Sequence, residues 1–196
     1  MSHLDYWNAS ATDFHDETIV GNPSRRILII GHAQHGKDTV AEMLRDHYGI
    51  RFASSSHFAI NKAIWPMVQG RGPWKSAQEL YDDRANHREM LYHAIRAYNL
   101  IPGPPLAEQM FLEGYDCYVG MRSRDELEKS RSSFTAVVWV DASRRKPLEG
   151  PESMDLSRKD ANFVVNNNGD LRTLEIEVDR LAGRLGLERK HTSTVC

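Results

Sequence analysis

The sequence predicts an α/β domain in three layers, a five-stranded parallel sheet flanked by helices, and three observations predict it. Five short runs rich in apolar or β-prone residues recur along the chain: Arg51–Ala53, Tyr115–Val119 and Phe163–Val165, besides the stronger Ile27–Ile30 and Ala136–Val140. The two strongest are apolar at every position rather than at alternate ones, which is the pattern of strands covered on both faces. Segments with helical spacing separate the runs, so each strand is joined to the next by a helical crossover, as a parallel sheet requires.

Taken in order, Ile27–Ile30 is closed by Gly31 and followed by a helix carrying Val40, Met43, Leu44 and Tyr48 on one side. Arg51–Ala53 is a short second strand. His57 to Val68 reads as a helix, broken by Gly70, Gly72 and Pro73. Ser76 and Glu79 have the spacing of a capping box and open a long helix that is expected to reach about Tyr98. Pro104-Pro105 can start another short helix. After the third strand, Tyr115–Val119, a second capping box is expected at Ser123–Glu126. Ala136–Val140 is the most β-prone run, and Phe163–Val165 is the fifth strand. Asp170 then caps a terminal helix with Leu171, Leu174, Ile176, Val178, Leu181 and Leu185 on or near its inner face. Residues 1–23 have no clear period and read as an N-terminal arm, 24–188 as one domain, and 189–196 as a tail.

The chain has 196 residues, 40% hydrophobic and 27% charged, enough for one core and too few for two ordinary domains. A net charge of −2 gives no global positive field for a long nucleic acid, so any polyanion must be gripped locally. The two cysteines, Cys117 and Cys196, form no metal-ligand spacing, and a reducing compartment is expected. No apolar run approaches the length of a membrane span, and Met1–Gly21 lacks a signal-peptide core, so the expected location is cytoplasmic.

The chemistry begins where the first strand ends. Gly31-His32-Ala33-Gln34-His35-Gly36-Lys37-Asp38-Thr39 keeps the G-x-x-x-x-G-K spacing between a strand and a helix. Glycines allow successive backbone N–H groups to turn inward, and the helix start adds positive potential for a polyphosphate. Lys37 can reach β- and γ-phosphates, and a hydroxyl or carboxylate at the helix start can ligate Mg²⁺. Here Asp38 precedes Thr39, so both are candidate metal ligands. ATP and Mg²⁺ are the implied cofactors. His32 and His35 read as loop side chains near the nucleotide.

Phosphoryl transfer consists mainly of positioning and charge stabilisation, so arginines are needed around the transferred group. Arg122 and Arg124 follow the third strand, where an acceptor phosphate is expected. Arg144, Arg145 and Lys146 follow the fourth, where a lid can close over ATP. On the long helix, Arg84, His87 and Arg88 share one face, with Asp83–His87 ion pairing as the plainer alternative. Ser54, in the Ser54–Ser56 run, either lines the acceptor pocket or belongs to a cap that Ser56 completes. Asp116, Asp141 and Asp160 flank strands, but none is an unambiguous acid for Mg²⁺.

The loop with its Gly-Lys-Asp-Thr ending resembles that of the phage-type deoxynucleoside monophosphate kinases, a branch of the P-loop nucleoside monophosphate kinases. Tyr81–Arg88, Tyr118–Arg124, Val138–Ser143 and Asn166–Gly169 resemble further blocks of that family, so the likeness spans about residues 26–186. It implies a P-loop kinase fold, Lys37 on the ATP phosphates, Arg122 on the acceptor phosphate, Arg144 or Arg145 acting from a lid, a small nucleotide as partner, and the host cytoplasm as location if phage-encoded. The chain departs from the pattern in having neither a long lid insertion after the fourth strand nor an aspartate-phenylalanine-proline-arginine-type acceptor signature. Two rival expectations are a kinase of the same fold acting on a hydroxymethylpyrimidine in phage DNA, and an ATP-binding module that hydrolyses slowly.

Overall fold

The apolar runs become five strands of one parallel sheet, and their alternate residues face two separate helical layers. The computed structural model describes residues 25–151 and 153–190; the expected arm and residues 191–196 of the expected tail lie outside the described residues. The strands are β1 (Ile27–Ile30), β2 (Phe52–Ser54), β3 (Cys117–Val119), β4 (Ala136–Asp141) and β5 (Phe163–Asn166), in the spatial order β2-β3-β1-β4-β5. Ile29 stands level with Val119 on one side and Val138 on the other, so β1 is central and buried on every side.

On one face, Ile27, Ile29, Val119, Val138 and Val140 pack against α1 (Lys37–Tyr48) and α8 (Leu171–Arg184). On the other, Leu28, Ile30, Tyr118, Val137 and Trp139 meet a longer series of helices. These are α2 (Ser55–Ala59), α3 (Trp65–Val68), α4 (Ala77–Asp82), α5 (Arg88–Leu100), α6 (Leu106–Leu112) and α7 (Arg124–Ser130). The expected three-layer α/β fold with a five-stranded parallel sheet is the fold observed. No helix among the described residues is long and apolar enough to cross a membrane.

The helical layers depart from the expected elements in four places. First, the helix expected from His57 begins at Ser55, with the Ser54 hydroxyl as its cap, and Ile60–Ile64 between α2 and α3 is π-helical. Pro66 has no N–H to return to Lys62, and the preceding Trp65 N–H reaches five residues back to Ile60. Second, the long helix expected from Ser76 to Tyr98 is two helices. Asp83 accepts from the Trp74 indole (3.0 Å), the Asn86 amide (2.6 Å) and the His87 ring (2.8 Å), and these bonds favour a 3₁₀ turn at Asp83–Ala85 over continued helix. Third, the second capping box is absent: Ser123 makes no side-chain cap, and Glu126 is buried beneath α7, accepting from the Tyr118 hydroxyl at 2.6 Å. Fourth, Leu171 and Ile176 lie on the exposed side of α8. The described start of the tail is held, with the Lys190 N–H on the His47 carbonyl at 2.7 Å.

Candidate functional site

β1 delivers the chain into the turn Gly31–Gly36, and α1 carries it away, so the loop sits at the carboxyl edge of the central strand, where open α/β sheets bind ligands. Two glycines explain how it fits. A Cβ on Gly31 would stand 2.6 Å from the Val140 carbonyl, and one on Gly36, at φ 91°, would overlap the Asn167 amide. Gln34 also takes a left-handed backbone (φ 60°), which helps to curl the loop.

The loop is fastened from behind by His35, which is fully buried. Its Nδ1 accepts from the Ala142 N–H at 3.1 Å, its Nε2 donates to the Pro147 carbonyl at 3.3 Å, and its own carbonyl accepts from the Asn167 amide at 2.8 Å. This pattern assigns a neutral ring protonated on Nε2. His32 stands edge-on to Trp139, and its Nδ1 accepts from the Glu149 N–H at 3.1 Å. Burial, with the Lys37 and Arg122 charges nearby, keeps the His32 pKa below its usual value, so it remains an acceptor. The two histidines therefore tie the segment between β4 and β5 to the loop.

Lys37 folds back over the turn and donates to the Gly31 and His32 carbonyls at 2.8 and 2.7 Å. Burial, helped by the Arg122 charge, brings its pKa down to about 8, so near neutral pH the ammonium is charged but poorly solvated. Asp38 is exposed and Thr39 half-buried, both in the first turn of α1.

The feature absent from the sequence reading is Glu149. One of its carboxylate oxygens accepts a short bond from the Ala33 N–H; the other accepts from Arg122 Nη1 at 2.7 Å, with Arg88 Nη1 at 3.6 Å. Burial pushes its pKa up, but the Arg122 bond and charge and the Ala33 N–H outweigh this and hold it below the usual carboxylate range. Arg122 thus binds one side chain at the mouth of the loop, Arg88 stands near it, and the Lys37 charge acts on it. A carboxylate occupies a place built for anionic oxygens, so the loop fits a polyphosphate, with Asp38 and Thr39 as the groups at hand for Mg²⁺. No periodic or spacing signal marks Glu149 in the Pro-Leu-Glu-Gly run.

The remaining candidates fall into distinct places. Arg122 also donates to the Ser153 carbonyl at 3.0 Å. The Arg84 guanidinium lies 4.0 Å over the Tyr81 ring and donates to the Tyr81 carbonyl, while the Ser54 and Ser56 hydroxyls are bonded to each other at 3.0 Å. His87 is hydrogen-bonded to Asp83, so the Arg84–His87–Arg88 stripe is not one open face; of the three, Arg88 reaches the mouth. Arg124 pairs with Asp160 at 2.9 Å. Arg144 is exposed with its N–H on Asn168, and Arg145 Nε donates to the Asn167 carbonyl at 2.6 Å, behind the loop. Of the three strand-flanking aspartates, only Asp141 adjoins the loop; its carboxylate takes the Ser143 N–H. Asp116 is bound to the Arg51 N–H, and Asp160 to Arg124.

No protein-family model matches the chain, and no curated protein matches it. Several solved structures are distantly similar to it. A sugar kinase from a Janibacter species has 16% identity and a TM-score of 0.46, over 83% of this chain and 95% of that one. A shikimate kinase from Bacteroides thetaiotaomicron has 15% identity and a TM-score of 0.43, over 83% and 98%. A gluconokinase from Sinorhizobium meliloti has 17% identity and a TM-score of 0.38, over 87% and 98%. These are distant likenesses of layout, and the activities named belong to those proteins.

Proposed function

We propose that the chain is a Mg²⁺-dependent kinase that transfers the γ-phosphoryl group of ATP to the phosphate of a deoxynucleoside monophosphate. The observation that carries this reading is a carboxylate held by Arg122 at the mouth of the loop, with Arg88 near it and the Lys37 charge acting on it. The chain as a whole is slightly negative. A local excess of cations there suits two phosphates brought together, donor and acceptor.

In this reading, backbone N–H groups of residues 32–37 cradle the ATP phosphates, and Lys37 turns from its own carbonyls to the β- and γ-oxygens. Arg122 grips the acceptor phosphate, with Arg88 beside it. Bound Mg²⁺, held by Thr39 and Asp38, would draw charge from the β- and γ-oxygens. An acceptor phosphate oxygen forms the new bond to γ-phosphorus as the bond to the ADP oxygen breaks, giving ADP and a nucleoside diphosphate. Arg144 and Arg145 are assigned to the lid side, and Ser54, Arg84, His87 and Arg124 to the outer acceptor wall.

A specific observation favours this acceptor over a hydroxyl. Asp83, Asp116 and Asp141, the carboxylates that could serve as base for a hydroxyl, are each engaged by N–H donors. A phosphate oxygen is already anionic and requires none. The four blocks carrying the family resemblance also reach the site, through Arg88, Arg122, Asp141 and Asn167, which supports a nucleotide.

The test is incubation with labelled ATP, a panel of deoxynucleoside monophosphates, and DNA with and without hydroxymethylpyrimidines. Label in a nucleoside diphosphate is expected, with acceptor affinity changing less than about tenfold between 50 and 200 mM salt, since few phosphates are contacted. Label in DNA alone, or in neither, sinks the proposal; ATP hydrolysis without any acceptor points to the slow ATP-binding module.

A further inference from the structure

We infer that Glu149 is an internal occupant of the phosphate site, which an incoming polyphosphate must expel before the enzyme can load. The inference rests on the reading of the loop as a phosphate site and adds a ligand of the chain's own making. Glu149 bonds the Ala33 N–H with one oxygen and Arg122 with the other, and its side chain is only 14% exposed. Those donors are the ones an anionic ligand needs. They cannot serve both.

The geometry gives the carboxylate a defined approach. Glu149 lies on the segment that leaves β4, held to the loop at the Ala142 N–H and Pro147 carbonyl through His35 and at its own N–H through His32. The attachments at Ala142 and Pro147 fix the segment beside the loop, and the Glu149 side chain spans the remaining gap to Ala33. Expulsion needs a change in one side chain and the turn that bears it, with the His35 fastenings left in place.

Displacement has a second effect. Arg122 leaves its carboxylate partner among the described residues, and Arg88 loses the same one. Both guanidiniums become available to phosphate oxygens as the loop fills, so loading the donor prepares the acceptor grip. In the free protein the carboxylate neutralises part of the charge of three clustered cations, which would otherwise repel one another.

An occupant of this kind weakens the apparent affinity of a competing ligand by the fraction of time that the site is open. Closure for about nine-tenths of the time weakens it roughly tenfold. The probe is inorganic tripolyphosphate, which has no base or sugar, titrated by calorimetry into the full chain and into Glu149→Gln. The expected result is roughly tenfold tighter binding to the variant, since the neutral amide competes poorly for Arg122 and Ala33. In the ¹⁵N-resolved spectrum the Ala33 amide proton should move upfield in the free variant, as a charge-assisted bond is lost. Adding tripolyphosphate should bring wild type and variant to similar Ala33 positions.

Unchanged or weaker binding by Glu149→Gln overturns the inference, because the carboxylate would then be a neutral bystander or part of the loaded site. If Glu149→Gln fails to fold, Glu149→Asp serves instead. It keeps the charge but falls one methylene short of bridging Ala33 and Arg122, so it should bind at least about threefold tighter than wild type. Binding no tighter than wild type refutes the inference there too. Failure of tripolyphosphate to bind any of these proteins instead refutes the phosphate-loop reading, which separates the two.

Discussion

The two sides of the candidate site are built differently. On the proposed donor side, the loop leaves the central strand, meets the carboxyl ends of β4 and β5, and is fastened by a fully buried histidine with partners on two segments. On the proposed acceptor side, the wall comes from short helices joined by a π-helical stretch and a 3₁₀ turn, and α5 buries only Leu91 fully along thirteen residues. A polyphosphate is the same in every reaction that uses it, so its cradle can be rigid. An acceptor wall of short, broken segments has fewer buried contacts to lose when it moves, and such segments supply closing motions at modest cost.

The largest expected effect lies on the rigid side. Lys37→Ala should lower turnover at least about a hundredfold, roughly 3 kcal/mol of barrier, with the fold intact by circular dichroism. Near-normal turnover would abolish the distinction between the two sides, because nothing else in the loop carries a formal positive charge.

Next is the support beneath the acceptor wall, where Glu126 is wholly buried and its pKa is raised to about 7 by burial, which the Tyr118 hydrogen bond only partly offsets. The folded protein therefore holds a proton that the unfolded chain releases near pH 4.5. Stability from this group is complete below the unfolded value and is lost as pH rises to about 7, in total about 3 kcal/mol. Glu149 and Asp160, held low, act in the opposite sense and below the ordinary carboxylate range. Denaturant melts from pH 5 to 8 should show the decline, and Glu126→Gln should flatten it. An unchanged slope in the variant would place the titration elsewhere.

Arg122→Ala tests the division directly. Loss of a charge-assisted contact should weaken acceptor binding by about 2–3 kcal/mol while the affinity for ATP changes much less. Equal losses for both ligands would mean that Arg122 belongs to the donor side. The smallest effect is expected for Arg88→Ala. Its side chain is more than half exposed and 3.6 Å from Glu149, so acceptor KM should rise only about two- to fivefold, or under 1 kcal/mol. A larger rise would mean that the wall closes over Arg88 when acceptor binds.

The same asymmetry decided what the sequence could show. Ile27–Ile30, Ala136–Val140 and the spacing of Gly31, Gly36 and Lys37 could be read directly, because burial on both faces and phosphate binding each restrict residue types at consecutive positions. The break at Asp83 could not be read. Ala77–Leu100 is rich in helix formers, and the interruption depends on Trp74, nine residues away, reaching the Asp83 carboxylate. Glu126 had the spacing of a cap but was drawn inward by Tyr118 from a neighbouring strand. Glu149 was invisible for the same reason: its partners Ala33, Arg88 and Arg122 are distant in sequence, and no local pattern records them.

The interior position of β3 also makes the protein its own reporter of unfolding. Cys117 is wholly buried there, level with Ile27 on one side and Phe52 on the other, and burial pushes its thiol far above the ordinary range. An alkylating reagent needs a thiolate that it can reach. With Cys196 changed to serine, each labelling event must wait until the layer of α1 and α8 lifts from β3. The alkylation rate at a fixed reagent concentration then times the opening of the sheet's interior, and the slowing of that rate by tripolyphosphate would measure how far a filled loop holds it shut.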